Sequence, residues 1–316
     1  MKRNGIVMFL FPGPIGNSGS LPAKNNSRQV RGMVIPCCFL CFIVLASCVS
    51  ISARRGLLID KLSPIQSFRT SEPMDKLVFD EISGSCYTMH TDWQELIFFR
   101  EGNLINKTGG LGYDKTNFQR LMDIALDTDG SLLALDSATR TVKKFTSDGK
   151  FSGEFELPGL RQPELFAVAG DQTLFIYDAI ASEIVCFSAL DIKEQYRFGR
   201  FELKNISSLS CNRNYVLAYS KDLNKTSVFS ILGQHIITFP NLAMLDEQGN
   251  LLLLENGILK QTVFRGRETD PETAELLVPL TGVSYAGCNR NTVSTISQLE
   301  ITNYKIQYLS SMETVR

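Results

Sequence analysis

The chain has 316 residues, of which 44% are hydrophobic, 21% charged and 9% aromatic. This composition excludes a disordered chain and provides ample apolar surface for a core. Eight cysteines are too few for a disulfide scaffold. Two histidines argue against a histidine-built metal site or catalytic cluster. The length is large for one compact globule and ordinary for one closed repeat array.

The N-terminal segment has the pattern of an export signal. Residues 1–47 contain five basic and no acidic residues. An uncharged run follows from Gly32 to Ala53, and its apolar part, Val34 to Ala46, is 13 residues long. A membrane-spanning helix needs about 20 apolar residues, whereas the apolar part of a signal peptide has about 7–15. We therefore predict a signal peptide over residues 1–47, with an unusually long basic part.

The end of this run, Leu45-Ala46-Ser47-Cys48, resembles the lipobox of bacterial lipoproteins. The resemblance implies that Cys48 becomes the lipidated first residue of the mature chain. It also implies a location in the bacterial cell envelope, tethered to a membrane and facing the periplasm or exterior. An uncleaved signal anchor and a plain cleaved signal are the alternatives. Without residues 1–47 the chain has 27 basic and 33 acidic residues, a net charge of −6, which gives no indication of nucleic-acid binding.

The remaining chain repeats itself. Residues 123–136 predict a strand, a turn and a second strand. The same register recurs four times, with equivalent turn positions at intervals of 42, 42, 35 and 42 residues, namely Asp127, Ala169, Cys211, Asp246 and Cys288. A weaker copy at residues 77–92 places Asp92 where the later copies have Asp136 and Asp178. Six copies of about 42 residues fill residues 60–316, leaving no room for a second domain.

An apolar residue recurs nine positions after each second strand of the five later copies. These positions are Phe145, Phe187, Phe229, Phe264 and Ile306. A large apolar side chain at the same position of every repeat can fill the space between that repeat and the next one. We therefore predict that these side chains are buried between repeats.

Four short strands at a 40-odd-residue period predict propeller blades. Continuously apolar second strands, such as residues 251–254, fit strands covered on both faces. We predict an all-β, six-bladed β-propeller over residues 74–316, about 42 residues per blade. Residues 48–73 would be a tether or closing strand. Because the last copy lacks a convincing fourth strand, we expect residues 56–62 or 64–68 to pair with residues 301–309 and close the ring.

Residues 109–155 carry a family resemblance. Gly109-Gly110-Leu111-Gly112, Met122 to Asp127, Leu133 to Asp136 and Asp148-Gly149 resemble an NHL-type repeat of six-bladed propellers, related to the TolB-like type. The third and sixth of the six copies depart from that pattern, as does the first strand, which is preceded by Leu121 where the family usually has a proline. The resemblance implies a propeller, and it leaves the function open because this family includes both enzymes and binding modules.

The axis of such a propeller is the place for a site. The residues predicted near it are Asp123, Phe166, Ser207, Ala243 and Val283, which are too apolar for a metal cup. We therefore predict no metal and no cofactor, and we assign no catalytic residue. His90 and His235 fall at different phases of their blades and are not expected to meet.

Several other residues have structural interpretations. The repeated aspartates at strand ends are explained by hydrogen bonds to the adjacent turn, and the glycines at 109, 110 and 112 by a connection between blades. Cys211 and Cys288 share the string Cys-Asn-Arg-Asn but are a whole blade apart, too far for a disulfide. Trp93 and Tyr113 are candidate interface anchors, with packing as the favoured interpretation.

The favoured function is a membrane-tethered binding or scaffold module for a protein, peptide or glycan. The alternative is a hydrolase or lyase, such as a lactonase, with its site in the central depression. A third alternative, a component of an outer-membrane assembly machine, rests on architecture alone.

Overall fold

The structure, a computed structural model, describes residues 58–188, 190–265, 268–269, 274–280 and 282–309. All of its regular secondary structure is β-strand, arranged in six antiparallel sheets that form the blades of a propeller. The predicted fold class is therefore confirmed. The signal peptide and Cys48 lie outside the described residues. None of the described residues form a helix that is long and apolar enough to cross a membrane.

The blades follow one another along the chain. Blade 1 contains β2 (Lys76–Asp80), β3 (Ser85–His90), β4 (Glu95–Arg100) and β5 (Asn103–Gly109). Blade 2 contains β6 (Leu121–Leu126), β7 (Leu132–Asp136), β8 (Thr141–Phe145) and β9 (Phe151–Glu156). Blade 3 contains β10 (Pro163–Val168), β11 (Leu174–Asp178), β12 (Glu183–Ser188) and β13 (Lys193–Phe198).

The second half of the ring has the same order. Blade 4 contains β14 (Ser208–Cys211), β15 (Tyr215–Ser220), β16 (Lys225–Ser230) and β17 (His235–Pro240). Blade 5 contains β18 (Leu242–Leu245), β19 (Asn250–Glu255), β20 (Ile258–Arg265), β21 (Glu268–Thr269) and β22 (Ala274–Pro279). Blade 6 contains β23 (Tyr285–Asn289), β24 (Thr292–Ser297) and β25 (Glu300–Tyr308), and its outer strand is β1 (Ile59–Arg69).

The ring closes between the two ends of the chain. β1 pairs antiparallel with β25, from Ile59 opposite Tyr308 to Arg69 opposite Glu300. The Gln261 side chain of blade 5 adds a clasp, because its amide accepts the N–H of Ile59 at 2.8 Å and donates to the carbonyl of Ile59 at 2.7 Å. The predicted pairing of the N-terminal stretch with the last strand is confirmed.

The recurring aromatic residue lies on the third strand of each blade. Phe145, Phe187 and Phe229 are fully buried, and Ile306 is 2% exposed, as predicted. The side chain of Phe264 lies outside the described residues. Blades 5 and 6 have two-residue hairpins before this strand instead of four, so Ile306 lies two residues further along β25. A shift of two keeps the side chain on the same face of the sheet.

The register predicted for blade 1 is wrong by two residues. Its second strand ends at His90, and Asp92 lies in the turn that follows. The residue nine positions after His90 is Phe99, which lies opposite Cys86 just as Phe145 lies opposite Leu132. At the end of its second strand, blade 1 has His90 where blades 2 and 3 have an aspartate. Aligning the repeats on aspartate therefore shifted the predicted strand end of blade 1 to Asp92.

The aspartates at the ends of β7 and β11 are buried caps. Asp136 accepts the N–H groups of Gln119 at 2.8 Å and Arg120 at 3.1 Å, and Asp178 accepts those of Arg161 and Gln162 at the same distances. Each carboxylate thereby fixes the connection that enters its own blade. The structural interpretation of the repeated aspartate holds for these two blades.

Candidate functional site

The first strands of the six blades surround the central channel, which has a cavity of about 110 Å³. We call the face where these strands begin the upper face, and the face where they end the lower face. A depression of about 480 Å³ opens on the upper face, and we call it the upper mouth. This volume falls within the usual range of about 300–1,000 Å³ for ligand pockets.

One residue from each blade forms a ring at the upper mouth. By strand register the six positions are equivalent, and their occupants are Lys76, Asp123, Leu165, Ser208, Leu242 and Tyr285. Of the residues predicted near the axis, Asp123 is in this ring. Ser207 and Val283 also line the mouth, while Phe166 and Ala243 are buried and line the channel below.

Sequence reasoning missed the two most polar partners of Asp123 in this ring. Lys76 was hidden by the displaced register of blade 1. In blade 6 the sequence predicted Val283 near the axis, whereas the residue there is Tyr285, two positions later. The bulge at Met122 in blade 2 obscured the equivalence of Asp123 and Tyr285. Counting residues from the second-strand ends, once these are correct, would have found both.

Asp123 and Lys76 form an ion pair at the floor of the mouth. The Lys76 ammonium lies 2.5 Å from Asp123 Oδ1, and Asp123 is fully buried. The second carboxylate oxygen accepts the N–H of Phe166 at 2.9 Å. Burial raises the pKa of the Asp123 carboxyl, while the Lys76 charge and the hydrogen bonds oppose that rise. The pair therefore ties blades 1, 2 and 3 together, and every oxygen of Asp123 is already engaged.

Tyr285 occupies the channel beside this pair. A Cβ atom added at Gly287 would lie 2.6 Å from the Tyr285 hydroxyl oxygen, so the phenol extends along its own strand over Gly287 and would have to move if a larger residue stood there. Burial, followed by the Asp123 charge, raises the pKa of the Tyr285 phenol. The phenol is therefore neutral and can donate a hydrogen bond into the channel.

The rest of the upper mouth is mixed in character. One side presents the Ser207 hydroxyl, which accepts the Lys221 N–H at 3.0 Å, and the Tyr219 hydroxyl, which bonds Asn224 at 3.1 Å. Apolar side chains lie on both flanks of these hydroxyls, namely Leu165 from blade 3, Leu242 and Leu254 from blade 5, and Val283 before blade 6. A depression with an apolar wall and a few fixed polar groups is suited to binding.

The two histidines lie in different blades, 1 and 4, and neither is among the described residues that line the upper mouth. His90 stacks on Trp93 with ring centroids 4.2 Å apart. His235 is on the outer strand of blade 4 and shares a hydrogen bond with Thr238 at 3.0 Å. Within the part of the chain that the structure describes, no three His, Cys, Asp or Glu side chains are grouped closely enough to hold a metal ion. Cys86, Cys186, Cys211 and Cys288 are free thiols.

Exposed apolar side chains lie on the upper face beside the upper mouth. They come from the upper connections of blades 1 to 4, and they are Trp93, Leu111, Tyr113, Ile180, Phe201 and Leu223. Tyr113 is 94% exposed and Phe201 is 91% exposed, so the packing interpretation of Tyr113 is wrong. Trp93 is half-exposed despite its stacking on His90. Aromatic side chains held in water are the residue types that dominate binding interfaces.

The upper connections of blades 5 and 6 are shorter. Their hairpins have two residues, against four in blades 1 to 4, and Asn241 alone joins β17 to β18. By comparison, nine residues join β13 to β14 and eleven join β5 to β6. The apolar residues are therefore concentrated on one side of the mouth.

No family model matches the sequence. No curated protein matches it either. Solved structures do share the fold. Streptogramin B lyase has a TM-score of 0.51 at 13% identity, covering 77% of this chain and 87% of its own. The β-propeller domain of Cps50 (Swd1) from Myceliophteria thermophila has a TM-score of 0.53 at 9% identity, covering 78% of this chain and 100% of its own.

A third similar structure is a catalytically inactive histidine-to-alanine variant of virginiamycin B lyase from Staphylococcus aureus with quinupristin. Its TM-score is 0.50 at 12% identity, covering 73% of this chain and 80% of its own. At these identities the likeness establishes the propeller fold alone.

Proposed function

We propose that this chain is an exported bacterial lipoprotein, anchored through Cys48, whose propeller binds a protein, peptide or glycan partner at the upper mouth. It would work as an NHL-repeat or TolB-like propeller used as a binding or scaffold module in the cell envelope. The single observation that carries the proposal is the upper mouth, a depression of about 480 Å³ flanked by six exposed apolar side chains.

The path of the chain supports this arrangement. β1 begins at Ile59, opposite Tyr308, and therefore starts at the lower face. Cys48 precedes Ile59 by 11 residues, which can span at most about 40 Å when extended. A lipid at Cys48 would therefore tether the propeller through the strand that begins at its lower face. An anchor that enters at the lower face leaves the upper mouth accessible to a partner.

The anchor and the binding surface are tested separately. Mass analysis of the mature N-terminus should show a diacylated or triacylated Cys48, and the Cys48→Ser variant should accumulate as precursor. An unmodified Cys48 with residues 1–47 still attached would eliminate the lipoprotein part of the proposal.

For the binding surface, a photo-crosslinking residue at position 201 should capture a specific partner in intact cells. The same residue at position 82, on the lower face where Ile82 is 83% exposed, is the matched control. Combining Tyr113→Ser with Leu223→Ser should abolish capture at position 201 without lowering the melting temperature. Equal capture from both faces would show that the upper mouth is not the binding surface.

The alternative is a hydrolase or lyase at the same mouth. It is favoured by the fold likeness to streptogramin B lyase, and the Lys76–Asp123 pair with the Tyr285 phenol would have to supply acid–base catalysis. Against it, no histidine lines the mouth as described, and Asp123 has no free oxygen. Turnover of a lactone by wild type, lost in Tyr285→Phe, would decide for the enzyme.

A further inference from the structure

The repeated string Cys-Asn-Arg-Asn is not explained by the upper mouth. It occupies residues 211–214 and 288–291. In both copies it forms the turn between the first and second strands, in blades 4 and 6, at the lower face. Both turns line one depression of about 520 Å³ at the lower end of the channel, which we call the lower mouth.

The asparagines of the string have a structural role. The Asn212 side-chain oxygen accepts the N–H groups of Asn214 and Tyr215, each at 2.9 Å, and its amide donates to the Asp246 carbonyl of blade 5 at 3.3 Å. The Asn289 amide donates to the Phe79 carbonyl of blade 1 at 3.3 Å. Each turn is therefore fastened to the next blade, and the backbone beside each arginine is held in place.

The arginines have no such role. Arg213 and Arg290 are both exposed and both line the lower mouth. Neither guanidinium forms an ion pair or a hydrogen bond with any other residue that the structure describes. Two charged side chains at equivalent positions therefore border one depression with all of their donors unused.

The acidic residues of the lower mouth are mostly engaged. Asp127 binds the Lys144 ammonium at 2.6 Å. Asp246 is buried and accepts the side-chain amide of Asn250 at 2.7 Å and the Tyr308 hydroxyl at 3.0 Å. Among the described lining residues, Glu247 is the one carboxylate with neither an ion pair nor a hydrogen bond to its carboxylate oxygens. The uncommitted groups are thus two guanidiniums and one carboxylate.

We propose that the lower mouth binds a small oxyanion ligand, with carboxylate or phosphate oxygens, between Arg213 and Arg290. A guanidinium presents a planar fork of donors that matches these oxygens, and such charge-assisted hydrogen bonds are about twice as strong as neutral ones. The fixed turns hold the backbone that carries both arginines at the edge of the depression. This site is separate from the upper mouth, and it does not depend on the function proposed there.

The test uses the mature propeller and two probes, inorganic phosphate and succinate, titrated by calorimetry at low ionic strength. We expect at least one probe to bind wild type. Arg213→Gln and Arg290→Gln should each weaken binding about tenfold, and Glu247→Gln should strengthen it. Lys150→Gln is the matched control, because Lys150 is also an exposed cation in a lower turn but does not line the depression. All four variants should melt like wild type because the altered groups are exposed.

The outcomes distinguish a phosphate ligand from a carboxylate ligand and include results that would overturn the proposal. Binding of phosphate alone supports a phosphate ligand, binding of succinate alone supports a carboxylate ligand, and binding of both supports the shared oxyanion site. The proposal is overturned if neither probe binds wild type or if only one arginine matters. It is equally overturned if Lys150→Gln weakens binding as much as the arginine variants, since the effect would then be general charge attraction.

Discussion

A single buried amide, that of Gln261, adds a clasp to the closed ring, and Gln261→Met is the sharpest test of this clasp. Gln261 is 4% exposed and Ile59 is 2% exposed. The substitution preserves the approximate side-chain volume but removes both hydrogen bonds of the clasp. Each buried backbone group left without a partner costs about 1–3 kcal/mol. The apolar side chain recovers about 1 kcal/mol through burial.

The expected loss in the free energy of unfolding is therefore about 1–5 kcal/mol, a large part of the typical total of about 5–15 kcal/mol. Guanidinium unfolding followed by tyrosine fluorescence measures it. Gln195→Met is the matched control, because Gln195 is exposed on the outer strand of blade 3 and should change stability by less than about 0.5 kcal/mol.

A result for Gln261→Met within about 0.5 kcal/mol of wild type would refute the clasp. Deletion of residues 56–70 tests closure more severely. It should destabilise all six blades in one transition, because it exposes the edge of β25 and the apolar surface that Ile59 and Leu62 cover. If the deletion mutant melts like wild type, the pairing of β1 with β25 does not hold the ring together.

Three further predictions concern the core and the channel. Phe187→Ala should lower the free energy of unfolding by about 3–5 kcal/mol, whereas Lys150→Ala should change it little; an equal effect of both in chemical denaturation would contradict the aromatic register. Burial raises the pKa of the Cys86 thiol to about 12 from 9.0, so the unfolded chain releases this proton first and stability should fall as pH rises above about 9. Cys86→Ala should reduce that slope by up to about 1.4 kcal/mol per pH unit, and unchanged melts at pH 9 to 11 would show that the thiol ionises normally. Gly287→Ala should displace the Tyr285 phenol and weaken any ligand of the upper mouth more than Gly153→Ala, where the added methyl meets open space; equal binding by the two variants would remove Tyr285 from the site.

The repeat made the architecture predictable. A propeller blade cannot bury its faces alone, so each copy must present the same apolar residues at the same phase to its neighbours. Phe145, Phe187 and Phe229 follow this rule, and their spacing is visible without any structure. The missing fourth strand of the last copy was equally visible, and the need to cover a sheet edge led to β1.

The candidate site was less predictable because it depends on register. Hairpin length varies between two and four residues, and a bulge at Met122 adds one residue to β6. Such changes leave the core pattern intact because a side chain displaced by two residues returns to the same face. Bulges and hairpin lengths do, however, change which residue lies at the axis. Lys76 and Tyr285 were missed for that reason, although counting from the correct ends of the second strands finds both.

The sequence by itself determined the fold class, the number of blades and the aromatic core positions of blades 2 to 4, since each is a local pattern repeated at a fixed period. It also indicated how the ring closes, because the last copy lacks a fourth strand. Only the tertiary structure decided which side chains meet at the axis, because the ring brings together residues about 40 positions apart whose phase depends on every bulge and hairpin between them. The same holds for the lower mouth. The arginines 213 and 290 are identical in local sequence, and only the closed ring places them around one depression.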